Sequence, residues 1–244
     1  MRKLIKRFAP GLLVDFVKIK RNSKTFKNQP IKEIFTNYKE TKFWNSAESV
    51  SGDGSELSVT TALREGLEVL LKKYEISTLL DVPCGDFNWM QAVNLENVEY
   101  TGGDIVTSLI LDNKMKFTSE FISFTELDLT SNSMPKVDLI FCRDCLVHLS
   151  YKDIYRALRN IKRSGSTYLL TTSFIKTSKN KDIVTGEWRK LNLEISPFNL
   201  GNPIAIIDEK YTEKGSKYAD KSMCLWRIAD IKLPLKLKVY SWFI

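Results

Sequence analysis

The hydrophobic and polar positions from residue 58 onward first follow the period of a helix and then alternate between strand-like and helix-like patterns. Over residues 58–74, leucines recur at intervals of three and four residues, after a polar stretch that is typical of a helix N-terminus. Short runs rich in β-branched and aromatic residues follow, separated by stretches that are compatible with helices or helical turns. This alternation predicts βαβ units and an α/β fold, with a mostly parallel sheet covered by helices on both faces. The predicted strands span residues 76–82, 98–105, 121–124, 137–142 and 167–172, and the predicted helical segments span 89–93, 108–115 and 154–161.

The regular alternation ends after residue 174. Residues 176–203 are polar and contain a tryptophan and two prolines, so we expect a structured insertion or lid on the substrate side, after the fifth strand. Three later apolar runs, 204–207, 223–228 and 235–243, are candidates for antiparallel strands that close the sheet. The sequence does not decide which of these runs pair.

The composition fits one folded domain with appendages. The chain has 244 residues, of which 43% are hydrophobic and 27% are charged, which is typical of a globular protein. Its apolar runs are far shorter than the ~20 residues that cross a bilayer. Pro10 and Asp15 interrupt the apolar part of the N-terminus, which therefore does not have the pattern of a secretory signal. We expect a cytoplasmic protein.

The cysteines give little support to a metal or disulfide site. Cys142 and Cys145 form a lone Cys-x-x-Cys, while Cys84 and Cys224 lie far from them, and the chain has one histidine. A structural zinc site needs a second pair of ligands at suitable spacing. Buried free thiols are therefore favoured over a redox or metal pair, and we expect no bound metal.

The positive charge is concentrated at the N-terminus. The formal net charge is +8, and residues 1–42 hold twelve Lys or Arg against three acidic residues, so the rest of the chain is close to neutral. A basic sum can indicate a nucleic-acid binder, but here the body of the protein carries no excess charge. We therefore expect a basic extension, residues 1–42, attached to a domain that spans residues 43–244, and no nucleic-acid partner.

The start of this extension has an amphipathic pattern. Apolar residues within positions 4–17 recur at three- and four-residue steps, and a helix here, bent at Pro10 and Gly11, has an apolar stripe flanked by cations. Such a helix is typical of a segment that lies on an anionic membrane surface, which predicts peripheral contact with the inner membrane face. A helix that packs on the domain or on a partner chain has the same pattern, so both interpretations stay open.

Acidic residues end the first three predicted strands. Asp81 ends the first strand, Asp104 ends the second, and Asp128 follows the third. The carboxyl ends of parallel strands meet at one edge of the sheet, where open α/β sheets bind ligands. Gly85 lets the backbone approach a ligand closely, and Asp104 is placed to accept hydrogen bonds from ribose hydroxyls. With Asp128 as an acceptor for an exocyclic amine, the three acids predict a nucleoside pocket.

These residues resemble the motifs of the class I S-adenosylmethionine (SAM)-dependent methyltransferases. Residues 81–85, Asp-Val-Pro-Cys-Gly, are similar to the first motif of that family, Asp104 to its ribose ligand and Asp128 to its adenine-contacting acid. Residues 138–148 are similar to its fourth strand and the active-site segment after it. The resemblance covers about residues 55–175. Within the family, the chain resembles the methyltransferases found in bacterial polysaccharide biosynthesis loci.

The resemblance implies a Rossmann-like sheet of seven strands with the last strand antiparallel, SAM as the cofactor and S-adenosylhomocysteine (SAH) as its product. The chain departs from the family at the glycine-rich loop, where Pro83 and Phe87 stand at glycine positions and Gly85 alone is kept. The residues that we expect to bind the cofactor are Trp44, Ser51, Gly52, Gly54, Ser55, Asp81, Pro83, Cys84, Gly85, Asp104, Ile105, Asp128, Leu129 and Arg143.

A loop of small residues, 43–55, precedes the first predicted helix. Gly52 and Gly54 permit a close approach to the cofactor, and Ser51 or Ser55 is expected to donate a hydrogen bond to its carboxylate. We expect this loop to close over the cofactor, because Trp44 would be poorly placed in a simple linker. A flexible connection with a helix cap is the alternative.

Three polar residues follow the fourth predicted strand, where this fold brings the acceptor to the sulfonium group. Methyl transfer to a hydroxyl needs an aligned acceptor oxygen that loses a proton. His148, with an ordinary pKa of about 6.5, is the candidate general base, and Asp144 is either the base itself or the residue that orients His148. Arg143 completes the candidate catalytic set. The alternative is that His148 caps the following helix beside Ser150 and Asp153.

The insertion contains candidate substrate-binding residues. Trp188, Arg189 and Asn192 combine an aromatic face, a fixed cation and an amide, which suit a sugar or a phosphorylated sugar through stacking and polar contacts. A folded lid with Trp188 in a small core is the alternative.

The sequence thus predicts a cytoplasmic SAM-dependent O-methyltransferase. Its expected acceptor is a sugar, a glycan precursor or a phosphoryl-modified sugar. Two alternatives stay open: a methyltransferase of a nucleic-acid or protein amine, and a non-catalytic scaffold that keeps the nucleoside pocket. The neutral body of the protein and the absence of an Asn-Pro-Pro-Tyr-like motif after the fourth strand argue against the amine alternative.

Overall fold

The structure is a computed structural model, and it describes residues 26–211 and 218–233. The amphipathic segment at positions 4–17 and the apolar run 235–243 lie outside these described residues. The helices are α1 (Ile31–Glu40), α2 (Thr61–Lys73), α3 (Thr107–Phe117) and α4 (Tyr151–Arg163). The strands are β1 (Thr78–Asp81), β2 (Glu99–Asp104), β3 (Ile122–Glu126), β4 (Leu139–Cys142), β5 (Tyr168–Phe174), β6 (Ala205–Asp208) and β7 (Lys221–Arg227).

The seven strands form one mixed sheet in the order β3-β2-β1-β4-β5-β7-β6. The pairs β1–β2, β2–β3, β1–β4 and β4–β5 are parallel, whereas β7 is antiparallel to both of its neighbours, β5 and β6. This arrangement confirms the predicted α/β fold with a mostly parallel sheet and an antiparallel last strand. Of the three late apolar runs, the first two correspond to β6 and β7 and pair with each other.

Helices cover both faces of the sheet. One apolar core lies between the sheet and α4, and includes Ile154, Leu158 and Ile161. The other core lies on the opposite face, where α2 contributes its buried leucines and α3 contributes Ile110. Strands β1 and β4 lie at the centre between these two cores, and β4 is buried along its whole length, which explains their nearly continuous apolar sequences.

Helix α2 begins three residues later than the sequence pattern suggested. The polar residues before it do not supply a side-chain cap: the hydroxyl of Thr60, at the N-cap position, donates to the carbonyl oxygens of Glu56 and Leu57. Helix α4 has a true cap, because the Ser150 hydroxyl accepts a hydrogen bond from the backbone N–H of Asp153. The N-cap of α4 is therefore Ser150, and not His148 as in the alternative interpretation of the histidine.

Helix α1, within the basic extension, packs against the rest of the domain. Its Ile34 and Tyr38 are buried, and the Tyr38 hydroxyl donates to the carbonyl oxygen of Gly186 in the insertion, at 2.5 Å. At its two ends, Lys32 pairs with Glu126 and Lys39 with Asp112. The helix thus bridges the insertion and the β3–α3 side of the sheet. The domain boundary at residues 42 and 43 stays a prediction.

Residues 175–204 connect β5 to β6 without a helix or strand. Leu191, Leu193 and Phe198 are fully buried in the core that also holds α4, so this long connection is packed on the domain. Among the described residues, no helix has both the length and the apolar composition that spanning a bilayer requires.

Candidate functional site

A cavity of about 760 Å³ opens at the carboxyl ends of the central strands. The strand order reverses between β1 and β4, because β2 and β3 follow on one side and β5 on the other. This reversal leaves a crevice in which open α/β sheets bind their ligands. All fourteen residues expected to bind the cofactor line this one cavity, as do Asp144, His148, Trp188 and Arg189. The structure therefore brings together the three aspartates at the strand ends.

Asp81, the last residue of β1, is buried, and its Oδ2 accepts a hydrogen bond of 2.8 Å from the Tyr100 hydroxyl. Burial raises the pKa of this carboxyl to about 8, against the lowering effect of the Tyr100 hydrogen bond. At neutral pH the Asp81 side chain is therefore mostly protonated. It forms no ion pair with any described residue, so a positively charged ligand would favour its ionised form.

Asp104, the last residue of β2, is fixed by backbone groups. Its Oδ2 accepts from the N–H of Gly85 at 3.1 Å, and its Oδ1 accepts from the N–H of Val106 at 2.9 Å. Burial raises its pKa to about 6, and the backbone hydrogen bonds limit that rise. A carboxylate has about four acceptor positions, so two of them stay available for hydroxyl donors such as those of a ribose.

Asp128 lies two residues after β3 and shapes a tight turn. Its Oδ1 accepts from the N–H and the hydroxyl of Thr130, each at 2.7 Å, and its Oδ2 accepts from the Ser131 hydroxyl at 2.8 Å. The residue is partly buried and lines the cavity beside Leu129. Both carboxylate oxygens thus have local partners, and an adenine amine would bind their remaining lone pairs.

The turn after β1 keeps the backbone shape of a glycine-rich loop with fewer glycines. Gly85 has φ +56°, and a Cβ atom here would lie 2.4 Å from the Ser51 Oγ. Phe87, which stands at a family glycine position, has φ +58°. Its ring is buried against Tyr100 and Phe124, which stabilises a conformation that bulky residues rarely adopt.

The small-residue loop is tied to this turn through Asp86. The Asp86 carboxylate accepts hydrogen bonds from the Ser49 hydroxyl, the Val50 N–H and the Ser51 hydroxyl. A Cβ atom on Gly52, at φ +96°, would lie 2.8 Å from the Trp44 Cβ. The loop therefore lies along one wall of the cavity. Because the Ser51 hydroxyl already contacts Asp86, its expected donation to the cofactor stays a prediction.

Arg143 follows β4 and is almost fully buried. Its guanidinium group binds the Glu209 carboxylate in a bidentate manner, with Nη2 at 2.7 Å from Oε2 and Nε at 3.4 Å from Oε1. Nη2 also donates to the carbonyl oxygen of Gly54 at 2.8 Å. Its donors thus hold the small-residue loop and the end of β6 in place.

Asp144 is paired with a lysine that the sequence did not single out. Its Oδ2 lies 2.5 Å from the Lys221 Nζ and 3.7 Å from the Arg143 Nη1. Burial acts to raise the pKa of Asp144, but the nearby Lys221 and Arg143 charges outweigh it and lower the pKa to about 2. The carboxylate is therefore ionised at neutral pH and is a very weak base, which favours an orienting role over that of general base.

His148 lies at the end of the short turn Leu146–His148, and its ring contacts Trp44, with 4.9 Å between ring centroids. Its Nδ1 lies 3.0 Å from the carbonyl oxygen of Glu187. A carbonyl oxygen only accepts, so Nδ1 carries the hydrogen and Nε2 is left with its lone pair. Burial lowers the pKa of His148 to about 4, and the ring is neutral at pH 7.

The insertion holds this turn in position. The Gly186 N–H donates to the carbonyl oxygen of His148, and the Arg189 N–H donates to that of Val147. The Arg189 guanidinium group donates to the carbonyl oxygens of Leu146 and Leu149, each at 2.8 Å. Four backbone carbonyls around His148 are thus satisfied by the insertion.

Of the three residues expected to bind the substrate, two line the cavity and one does not. Trp188 lines the cavity and makes edge contacts with Phe174 and Tyr218, and Arg189 lines the cavity while bonding the turn of His148. Asn192, in contrast, is not among the residues that line the cavity. Its amide donates to the carbonyl oxygen of Thr177, and its Oδ1 accepts from the Glu194 N–H, so it shapes the insertion itself.

Several cavity residues were missed by the sequence reasoning. Phe35 of α1 contacts the His148 ring, with 6.4 Å between ring centroids, and Lys221 and Tyr211 come from the β6–β7 region. The apolar spacing of α1 was a usable signal for Phe35. The pairing of Lys221 with Asp144, 77 residues earlier in the chain, has no local sequence signal.

The described part of the chain contains no group of three or more His, Cys, Asp or Glu side chains arranged as a metal site. Cys84, Cys142 and Cys224 are buried, Cys145 is partly buried, and all four are free thiols. The prediction that the cysteines are free thiols is confirmed.

The fold is the Rossmann-like fold found in SAM-dependent methyltransferases of known structure. The chain is similar to PigF in its structure with SAH, with a TM-score of 0.59 and 15% identity over 92% of this chain and 72% of that chain. It is also similar to human N-acetylserotonin methyltransferase in complex with SAM, with a TM-score of 0.56 and 15% identity over 87% of this chain. The match spans 66% of the human chain, just under two thirds of its length.

A SAM-dependent methyltransferase from Clostridium acetobutylicum ATCC 824 has a TM-score of 0.50 and 14% identity, over 72% of this chain and 92% of that chain. No protein-family model matches the chain, and no curated protein matches it either. At these levels of identity the likeness shows the fold, and the chemistry must be argued from the cavity.

Proposed function

We propose that this chain is a SAM-dependent methyltransferase that transfers a methyl group to a hydroxyl of a small-molecule acceptor. One observation carries the proposal: Asp81, Asp104 and Asp128, from three neighbouring strand ends, line the same cavity as His148. The likeness in fold to the methyltransferases described above supports it.

The residues present fit SAM. Asp81 and Asp104 are buried acids without an ion-pair partner among the described residues, and a sulfonium or ammonium group supplies the missing positive charge. Asp104 keeps acceptor positions for ribose hydroxyls. Gly85 has φ +56°, a conformation that favours glycine, so the backbone itself forms this wall of the cavity.

When bound, SAM supplies a methyl group on a positively charged sulfur, which leaves as the neutral thioether SAH. Asp81, Asp104 and Asp128 would hold SAM, whose sulfonium group would give its methyl carbon to the acceptor oxygen and would keep the electron pair of the broken carbon–sulfur bond. The hydroxyl proton goes to the free Nε2 of His148. The site loses one positive charge at sulfur and gains one on the imidazole, so its net charge is unchanged, which helps a base of low pKa to act.

For the acceptor we propose a sugar, a glycan precursor or a phosphoryl-modified sugar. Trp188 lines the cavity and offers an aromatic surface for stacking. Lys181 and Arg189 also line the cavity and form no ion pair within the described residues, whereas Lys39, another cationic residue of the wall, is paired. Unpaired cations suit an acceptor with a phosphate or carboxylate group.

The basic N-terminal extension supports a further part of this proposal, that the protein acts in the cytoplasm at the inner membrane face. Cosedimentation with vesicles tests it. We expect binding to vesicles with anionic lipids that weakens with salt, and loss of binding when Lys3, Lys6 and Arg7 are changed to Glu. Equal binding of this variant, or equal binding to neutral vesicles, would contradict the membrane role.

The enzymatic proposal is tested by methyl transfer from methyl-labelled SAM to a panel of neutral sugars, sugar phosphates and nucleotide-activated sugars. We expect label in an alkali-stable methyl ether, and loss of transfer but not of SAM binding in His148→Ala. Label transferred instead to RNA or to protein amines would favour the amine alternative. A protein that binds SAM and labels no acceptor class would favour the scaffold alternative.

A further inference from the structure

Four charged side chains form a buried network beside the cavity. Lys221 Nζ lies 2.5 Å from Asp144 Oδ2 and 3.2 Å from Glu209 Oε2, and Arg143 Nη2 lies 2.7 Å from the same Glu209 oxygen. The side chains of Lys221, Glu209 and Arg143 are at most 6% exposed, and that of Asp144 is 33% exposed. Two cations and two anions therefore balance, with Asp144 at the end that faces the cavity.

Such a network is costly to bury. The desolvation of each ion opposes folding, and apolar residues of similar volume often stabilise a protein as well or better. A buried network of this kind is therefore weak evidence for stability, and a role at the adjacent site is the better explanation of its position. Arg143, Asp144 and Lys221 line the cavity, while Glu209 lies behind them.

The network fixes the orientation of Asp144. Asp144 has φ +51°, a left-handed conformation that is unfavourable for most residues with a side chain. Its N–H donates to the Thr172 hydroxyl at 2.8 Å, and that hydroxyl lies 3.3 Å from its Oδ1. Lys221 then holds Oδ2. Both carboxylate oxygens and the backbone are thus restrained, four residues before His148.

Asp144 and Lys221 act on His148 in opposite directions. Burial is the largest cause of the low pKa of His148; the hydrogen bond to the Glu187 carbonyl oxygen and the negative charge of Asp144 raise this pKa, while the positive charges of Arg189 and Lys221 lower it. His148, Asp144 and Lys221 all line the same cavity. A carboxylate that is already fixed on the same cavity wall needs no reorganisation when a positive charge develops on the ring.

We propose that Lys221 and Glu209 are positioning residues: with Arg143 they hold the Asp144 carboxylate beside His148 as the counter-charge for the imidazolium that forms during methyl transfer. The proposal rests on the proposed function, since it assigns the acceptor proton to His148. Glu209 bridges Arg143 and Lys221, Lys221 holds Asp144, and Arg143 links the network to the small-residue loop through the Gly54 carbonyl oxygen.

Because the chain has a single histidine, the proposed effect of the network on His148 can be tested without knowing the methyl acceptor. In protein prepared without a polyhistidine tag, the imidazole signals in an NMR pH titration belong to His148 alone. We expect Lys221→Gln, which keeps a hydrogen-bond donor but removes the charge, to raise the His148 pKa by about one unit. Adding Asp144→Asn to this variant should lower the pKa again, because the counter-charge is lost.

Two further variants are the controls. Lys221→Arg keeps the charge and should leave the His148 pKa near its wild-type value. Lys190→Met removes another ion pair, with Asp220, that lies outside the network, and it should cause no shift. SAM affinity is measured on each sample, so a failure of the proposed function is seen in the wild-type protein and is distinct from a failure of this proposal.

An unchanged His148 pKa in Lys221→Gln would overturn the proposal, as would a rise that Asp144→Asn does not reverse. Where Lys221→Gln does not fold, Asp144→Asn is measured alone at pH 4. We expect the imidazole to be mostly neutral there, while the wild-type ring is about half protonated. Equal protonation in the two proteins would then overturn the proposal.

Discussion

The two buried carboxyl groups at the ends of β1 and β2 are the least expected side chains in the cavity. An ionised acid inside a protein costs several kcal/mol unless a partner compensates it. Asp81 has the Tyr100 hydroxyl and Asp104 has two backbone N–H groups, but the described chain gives neither an ion pair. Their raised pKa values are the consequence of this burial, and a cationic ligand would reverse it.

SAM binding should therefore depend on pH through Asp81. Below a pH of about 8 the Asp81 carboxyl holds a proton that a positively charged ligand displaces, so affinity for SAM should rise with pH. The rise is at most about tenfold per pH unit and ends above pH 8, where the acid is already ionised. SAH lacks the sulfonium charge and should show a smaller dependence.

Calorimetry in buffers of different ionisation enthalpy measures the protons released on binding. At pH 7 we expect net release with SAM, less with SAH, and a smaller release in Asp81→Asn. Equal release by the wild-type protein and this variant would show that Asp81 does not take part.

Among the structural elements, the loop of residues 43–55 has the clearest dependence on a single side chain. Asp86 binds Ser49, Val50 and Ser51, and these bonds hold the loop against the turn after β1. The loop is also held by the Arg143 guanidinium group, which donates to the Gly54 carbonyl oxygen, and it contains a one-turn helix, Asp53–Ser55. Its position over the cavity therefore depends on Asp86 more than on its own backbone.

Replacing Asp86 by Ala should release this loop. We expect faster amide hydrogen exchange over residues 45–55 and about tenfold weaker SAM binding, which corresponds to ~1.4 kcal/mol. Glu96→Ala, at an exposed position near the start of β2, is the matched control and should change neither quantity. Unchanged exchange in Asp86→Ala would mean that other contacts hold the loop.

Considered as a complete structure, the protein depends on close packing between the helical layers and the sheet. Gly66 in α2 lies against β6, and a Cβ atom at this position would be 2.5 Å from the Ile207 Cγ2. Since Ile207 is β-branched and stiff, it cannot move aside cheaply. The absent side chain of Gly66 thus sets how closely α2 packs on the sheet.

Gly66→Ala should destabilise the protein by about 1–3 kcal/mol, because the overlap outweighs the better helix propensity of Ala. In the Ile207→Ala background the same change should be neutral or stabilising. The free energy of unfolding from denaturant titration checks both, and a stabilising effect of Gly66→Ala in the wild-type background would contradict this packing.

The strands and the cofactor side of the cavity were predictable because their signals are local. The five predicted parallel strands and the late runs 204–207 and 223–228 are strands in the described part of the chain, because each is a short apolar run between polar segments, and Asp81, Asp104 and Asp128 follow from their positions at strand ends. Gly85 was recognised for the same reason. An apolar run or an acidic residue at its end can be recognised from the neighbouring residues in the sequence alone.

The features of the site that the sequence did not predict depend on contacts between segments that are distant in the chain. Glu209 and Lys221 pair with Arg143 and Asp144, 66 and 77 residues away, and nothing in the sequence near them indicates this. Asn192 was assigned to the substrate because it lies near Trp188 in sequence, although its side chain bonds the backbone of the insertion. In a segment without helix or strand, residues that are close in sequence can have side chains that point in different directions.

The central claim is that the strand-end aspartates bind SAM, and calorimetric titration with SAM and SAH tests it most directly. We expect saturable one-to-one binding of both compounds, and at least about tenfold weaker binding in Asp104→Asn. Asp208→Asn, at the end of β6 and outside the cavity wall, should bind like the wild-type protein. No measurable affinity of the wild-type protein for either compound, or equal affinity in Asp104→Asn, would contradict the claim.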